Sequence, residues 1–448
     1  MDILPIEIMR VILEIATENG RLTYATLWLD VAPLSKFRER QELIRTLGSV
    51  CKRWRLICLE FLFEHVWIAP PLESNTLAFR QIFRTDTLLE HLRNPLGWWT
   101  RELYLDILFL EPPERKALID HIQINKPFPN VDHLLISDCR SNGNDEHGEL
   151  ILGVYAKHLT SLTLKGSEDT IHHMISCTIG GLSQLQELTL EFLDESLPNP
   201  DERDTLVLPC VHTLHLQNLA EAECVALVDW DFPAVRTMAI DTVDLFPDTL
   251  GLFMHLHGWP LTSLSIPYWP PEPSFHDALF EACPALERLG VLGAPWVDDD
   301  DLEQVSAVSV TYLPIMGEHG LREWTFSPFW VDCNFDSFQE STIDPKLLPS
   351  LHKIRLLSPG VDKIFSLSLE RVQSLKVWSL ALKLRGVLLV DDEDGTLFFL
   401  LTIWIGGYSD QRSSSLLRMM PYILGENDPI TVITDIKYQK YSYARQSV

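Results

Sequence analysis

Leu185-Gln186-Glu187-Leu188-Thr189-Leu190 is the stretch that decides how this chain is read. Its apolar residues stand at the first, fourth and sixth positions. The last two are two apart and point to one face of a short strand, and the first turns into the same core. The spacing returns in Leu159-x-x-Leu162-x-Leu164, Val211-x-x-Leu214-x-Leu216, Val235-x-x-Met238-x-Ile240, Leu261-x-x-Leu264-x-Ile266 and Leu286-x-x-Leu289-x-Val291. Weaker copies begin at Val131, Leu321, Leu351 and Val372. Successive starts at Val131, Leu159, Leu185, Val211, Val235, Leu261 and Leu286 are almost evenly spaced, a beat that random hydrophobic clusters would not keep.

One such unit cannot bury its own apolar side, and stacking neighbours solves that with a continuous core. The period falls within the range of leucine-rich repeats. The expected fold class is therefore α/β, an irregular solenoid with a parallel sheet on its concave face and helices outside. Segments between the strands, such as Glu221 to Val228 and Phe275 to Ala282, have helical composition. Pro129, Pro209, Pro233, Pro284 and Pro349 stand just before strands, where a proline ends one segment and sets the entry of the next. The longer steps near 321 and 351 read as insertions. Residues 69–380 are assigned to the repeats, and residues 381–448, where the beat is lost, to a degenerate cap or irregular region.

The segment ahead of the repeats, residues 1–68, reads differently. Pro5 suits the first turn of a helix, and Ile8, Ile12 and Ile15 follow at helical spacing. Leu43, Leu47, Val50, Trp54, Ile57 and Phe61 step by 4, 3, 4, 3 and 4, one apolar stripe on a single helix or on two broken at Gly48. Leu4-Pro5-Ile6-Glu7-Ile8 and Val50-Cys51-Lys52-Arg53-Trp54-Arg55 resemble the opening and closing signatures of an F-box. The gap between them is longer than in the family's compact form. The resemblance covers roughly residues 3–68, with Phe63, Val66 and Trp67 running into a first strand. It implies an all-α module that binds a Skp-type adaptor, and through it a cullin. By the match, Leu4, Pro5, Ile8, Ile12, Leu47, Val50, Trp54 and Ile57 would grip the adaptor.

Composition narrows the partners. A chain of 448 residues with 46% apolar residues is long enough for two or more domains or an extended array. The longest apolar run, Thr396 to Ile405, is ten residues, half of the ~20 that a spanning helix needs. The acid and proline in MDILPIEIMR do not suit a signal peptide, and the eight cysteines show no C-x-x-C pair. The expectation is an intracellular protein, cytoplasmic or nuclear, with its single cysteines as small buried hydrophobes. Residues 1–70 hold nine acids and nine bases, so the net charge of −27 resides in the remainder. Such a surface repels phosphate backbones and disfavours nucleic acid. It favours a basic protein partner, although solubility also accounts for an acid excess.

No catalytic constellation stands out: the chain has no G-x-S-x-G, H-E-x-x-H, P-loop or G-x-G-x-x-G. His172-His173 and His255-x-His257 sit beside no evident ligand set and read as surface or packing residues, so no metal or cofactor is expected. Asp298 to Asp301 and Asp391 to Asp394 lack the alternation of a calcium loop and read as solvated. Trp269, Trp296 and Trp330 follow their strands by a few residues beside prolines, as anchors on one rim or as packing under irregular repeats. Between the core positions of each strand, Glu187, Glu191, His215, Gln217 and Asp241 belong to a polar, mildly acidic face that suits a basic client.

The resemblance thus implies a non-enzymatic substrate receptor of an SCF-type ubiquitin ligase. The alternative is a free-standing repeat scaffold whose helical start merely caps the array. A cap would bury Trp54 and Ile57 against the first repeat, whereas an adaptor-binding module leaves an apolar face open.

Overall fold

The computed structural model describes residues 5–18, 33–68, 96–106, 112–137, 147–193, 205–219, 221–241, 247–266, 279–291, 321–326, 350–356 and 379–390. The chain is mixed α/β and divides into two units, Met1–His352 and Lys353–Val448. Among the described residues the first opens with the helices α1 (Ile6–Glu18), α2 (Pro33–Val50) and α3 (Lys52–Glu64). The apolar stripe, read as lying on one helix or on two broken at Gly48, lies on two that break at Cys51, which is extended at φ −161°, ψ 169°. Gly48 is buried inside α2, and a Cβ there would meet the Cβ of Cys58 at 3.4 Å, an ordinary contact. Met9, Leu13, Ile44, Ile57, Cys58 and Phe61 form the small core between these helices.

The same unit then forms a wholly parallel sheet: β1 (His65–Ile68), β2 (Glu102–Asp106), β3 (His133–Ser137), β4 (Ser161–Gly166) and β5 (Glu187–Phe192), then β7 (Thr213–Gln217), β9 (Thr237–Asp241), β10 (Ser263–Ile266), β11 (Arg288–Val291) and β12 (Glu323–Phe326). Along this row each strand lies beside the one named before it. The two short strands left out of that row, β6 (Leu206–Val207) and β8 (Trp230–Asp231), pair with each other. The sheet begins at His65, inside the segment read from the sequence as the helical module, because Val66 and Ile68 are its first core pair.

Register follows the repeat. Leu162, Leu188, Leu214, Met238, Leu264 and Leu289 align across neighbouring strands, and Leu164, Leu190, Leu216, Ile240 and Ile266 align two residues on. Both rows are buried. Leu103 and Leu105 extend them to β2. There the first motif position is Thr100, which kept this copy out of the apolar pattern. Its side chain is buried, and its hydroxyl donates to the Phe63 carbonyl at 2.9 Å.

The residue before each strand is held by a backbone device. The carbonyls of Arg101, Asp132, Thr160, Gln186, His212, Arg236, Thr262 and Glu287 each accept two successive N–H groups from the next repeat, at 2.7 to 3.1 Å. Just upstream, N–H groups of Val131, Leu185, Val211, Val235, Leu261 and Leu286 close four-residue turns on the carbonyl three residues earlier. Pro129, Pro209, Pro233 and Pro284 occupy the second position of such turns, where a fixed φ is an advantage.

Helices in the connections bring Leu118, Ile122, Ile151, Leu152, Ile171, Ile175, Phe253 and Met254 into the core. An aromatic file that the sequence pattern did not suggest runs through the same layer. His172, Trp230, Phe232, His257 and Phe253 follow one another with ring centroids 6.0, 6.0, 5.7 and 4.6 Å apart. Of the two roles open to His172 and His257, surface or packing, the contacts give packing, and burial holds the His257 pKa below its ordinary value.

In the second unit, β13 (Lys353–Leu356) pairs in parallel with β14 (Leu388–Val390). Residues 379–385 are helical between them. That helix ends at Gly386, φ 83°, with Gly386 N–H on the Lys383 carbonyl and Val387 N–H on the Leu382 carbonyl. This paired closure places its left-handed residue where glycine is favoured. One further strand–helix–strand unit thus reaches into the stretch read as having lost the beat; the copy at Val372 lies outside the described residues. Among the described residues no helix is long and apolar enough to cross a membrane.

Candidate functional site

Two surfaces of the first unit meet the residues singled out in the sequence. On α1, Met9 and Leu13 face the helical core while Ile8, Val11, Ile12 and Ile15 stay 48, 46, 42 and 64% exposed. Those four fall at i, i+3, i+4 and i+7 and therefore make one apolar stripe on the side away from the core. Pro5 and Val50 are also exposed. Leu47 and Trp54 are half-buried and pack on the core among the helices. Ile57 is only 6% exposed and belongs to that core, supporting the stripe from within rather than lying on it. Leu4 lies outside the described residues. Sequence reasoning paired Ile12 with Ile57; the helices separate them, and they bring Val11 and Ile15 to the face instead.

The helices are tied to the first strands by a charged cluster. Arg40 on α2 is buried and reaches Glu64 at 2.8 Å and the Phe61 carbonyl at 3.3 Å. His65 is paired through Nδ1 with Glu102 of β2 and lies 3.4 Å from Glu64. Burial alone would lower the His65 pKa, but its hydrogen bonds to Glu102 and Glu64 outweigh that and raise it. This cluster fixes the helical module against the sheet and had no signal in the sequence beyond an isolated His-Val-Trp.

The second surface is the polar face of the sheet. Lys165, Glu191, Gln217 and Asp241 align across β4, β5, β7 and β9, and Thr163, Thr189, His215 and Ala239 form the row beside them. A third row holds Ser161, Glu187, Thr213 and Thr237. The sequence pattern made this a polar face open to a client. Its central row is instead buried, Thr189 to 2% and His215 to 9% exposure. Short side chains on strands ~4.8 Å apart leave little room for water between them. Glu187, Glu191, Gln217 and Asp241 keep partial exposure. Glu191 is ion-paired with Lys165 on the next strand. Burial and the neighbouring Glu191 charge push the Asp241 carboxyl upward, while burial takes His215 down to about 4. His215 is thus a neutral packing residue at physiological pH. Trp269, Trp296 and Trp330 lie outside the described residues.

A third grouping was missed. His173 and Cys177 stand one turn apart on the helix Glu168–Thr178, and Glu149 approaches from the helix His147–Tyr155. The i, i+4 spacing was present in the sequence, but the carboxylate comes from the preceding connection, and only the packing of two helices supplies it. Cys177 is also exposed, as is Cys51, unlike the buried Cys58, Cys224 and Cys283. Comparison with models of known protein families and with curated proteins gave no match for this chain.

Proposed function

We propose that this chain is a substrate-recognition subunit of an SCF-type ubiquitin ligase, with an F-box-like module at residues 1–68 and a leucine-rich-repeat solenoid behind it. One observation carries the reading: α1 turns a row of four large aliphatic side chains to solvent while its other face fills the helical core. A helix serving only as a cap has no use for that row, whereas a helical adaptor buries it. Strands laid down in chain order at nearly even steps support the solenoid part of the reading. The polar face of the sheet, rimmed by Glu187, Glu191 and Asp241, is offered to a basic protein client. The chain then contributes proximity rather than chemistry, holding a client at high effective concentration near the ubiquitin-loaded enzyme.

The test is co-purification of the full chain with a Skp-type adaptor and a cullin. Ile8→Asp with Ile15→Asp should abolish it and leave the unfolding transition in place. An adaptor retained by that double variant, or never captured by the parent chain, refutes the assignment.

A further inference from the structure

We propose that Glu149, His173 and Cys177 form a three-ligand site for a thiophilic divalent metal of the zinc class. The three ligand atoms all lie within 4.8 Å of one another. His173 Nε2 stands 3.4 Å from Glu149 Oε2 and 3.8 Å from Cys177 Sγ. With Zn–S near ~2.3 Å, Zn–N near ~2.0 Å and Zn–O near ~2.1 Å, a tetrahedral ion separates its ligand atoms by about 3.4–3.6 Å. Two edges of the triangle are therefore close to the spacing that an ion would impose, and the third is no longer than 4.8 Å. The donor set of carboxylate, imidazole and thiolate matches a borderline-soft ion and is poor for magnesium or calcium.

The backbone supports the arrangement. His173 and Cys177 share one face of a regular helix whose start is capped by Ser167 accepting from the Thr170 N–H. Glu149 is held on a neighbouring helix, so the bound ion would bridge two successive connections of the sheet. Glu149 is half-buried, and His173 and Cys177 are exposed, which leaves the fourth coordination position to water or to a group brought by a partner. The site lies on the helical connections, not on the α1 stripe or the polar sheet face, and does not depend on the ligase reading. Because the thiol must lose its proton on binding, affinity should fall as pH is lowered.

The experiment is a Co²⁺ titration of the full chain, stripped with a chelator and kept reduced by a phosphine, followed by displacement with Zn²⁺. The expected result is saturable uptake of one equivalent with a sulfur-to-cobalt absorption band that Zn²⁺ abolishes. Cys177→Ser should lose the band. His173→Ala should weaken binding by at least the roughly 10–100-fold that loss of an outer-shell partner costs. Glu149→Gln should weaken it less, and Cys210→Ser should change nothing. A band that survives Cys177→Ser, an affinity indifferent to His173→Ala, or no saturable uptake by the parent chain would overturn the proposal.

Discussion

Ile12 and Leu13 are neighbours in the chain and face opposite ways on α1, so one substitution at each separates docking from folding. The exposed fractions of Ile8, Val11, Ile12 and Ile15 together equal about two whole side chains. At about 1.5–3 kcal/mol for each large aliphatic side chain fully removed from water, covering the stripe offers roughly 3–6 kcal/mol. The 42% of Ile12 still in water accounts for about 1 kcal/mol of that. Ile12→Asp forfeits this and puts an unpaired carboxylate into a dry interface, which adds about 2 kcal/mol or more. The adaptor affinity should therefore fall roughly 100-fold. Stability should change by less than about 1 kcal/mol, because the side chain lies on the surface. Leu13 is fully buried, and Leu13→Ala should cost about 2–5 kcal/mol of stability. The folded fraction of that variant should still bind the adaptor to within a few-fold. Urea unfolding and titration calorimetry against a Skp-type adaptor read the two effects separately. An Ile12→Asp variant that binds as the parent does, or loses as much stability as Leu13→Ala, would show that the stripe is not a docking face.

Two histidines should bend the stability curve in opposite senses. His65 has a raised pKa, so its contribution is complete below the ordinary value of 6.5 and fades as pH climbs through the raised one. The difference in melting temperature between the parent and His65→Gln should narrow over that range, and a constant difference would dismiss the cluster's role. His215 titrates near 4, so stability should be lost as pH falls from 6.5 toward 4, by about 3 kcal/mol at most; His215→Gln should flatten this limb, and an unaltered limb would assign it elsewhere. Reversing Glu187 and Asp241 to Lys should weaken capture of a basic client and reduce its salt dependence without affecting adaptor binding. Adding Glu191→Lys would also set a like charge against Lys165, so the triple variant should be less stable than the double. At Gly258 a Cβ would stand 2.5 Å from both Cys283 Sγ and the Met254 carbonyl oxygen. Gly258→Ala should therefore cost roughly 1–3 kcal/mol by overpacking, and a neutral result in urea unfolding would show that the site relaxes freely.

The positions of the strands could be read directly from the residues. Alternation of period two marks which side chains share a face, and a nearly even beat places each copy beside the last. Leu162, Leu188 and Leu214 could hardly lie anywhere but in one buried row. The proline turns before the strands were legible for the same reason, since a fixed φ acts locally. The copy at Leu103 escaped because Thr100, closing its first position by a hydrogen bond rather than by apolar contact, does not look like a core residue. Helical periodicity showed that the first helix has an apolar side, but not that it has two, one filled by Ile44, Ile57 and Phe61 and the other left to water. Which side is covered depends on partners from α2 and α3, far along the chain, and the spacing of Ile8, Ile12 and Ile15 carries no record of them. Burial of Thr189 and His215, the joining of Arg40, Glu64, His65 and Glu102, and the meeting of Glu149 with His173 and Cys177 were settled in the same way, by packing between segments distant in the chain. Local periodicity reports the direction of a side chain; only the folded neighbours decide whether it meets solvent, a charge or another ligand.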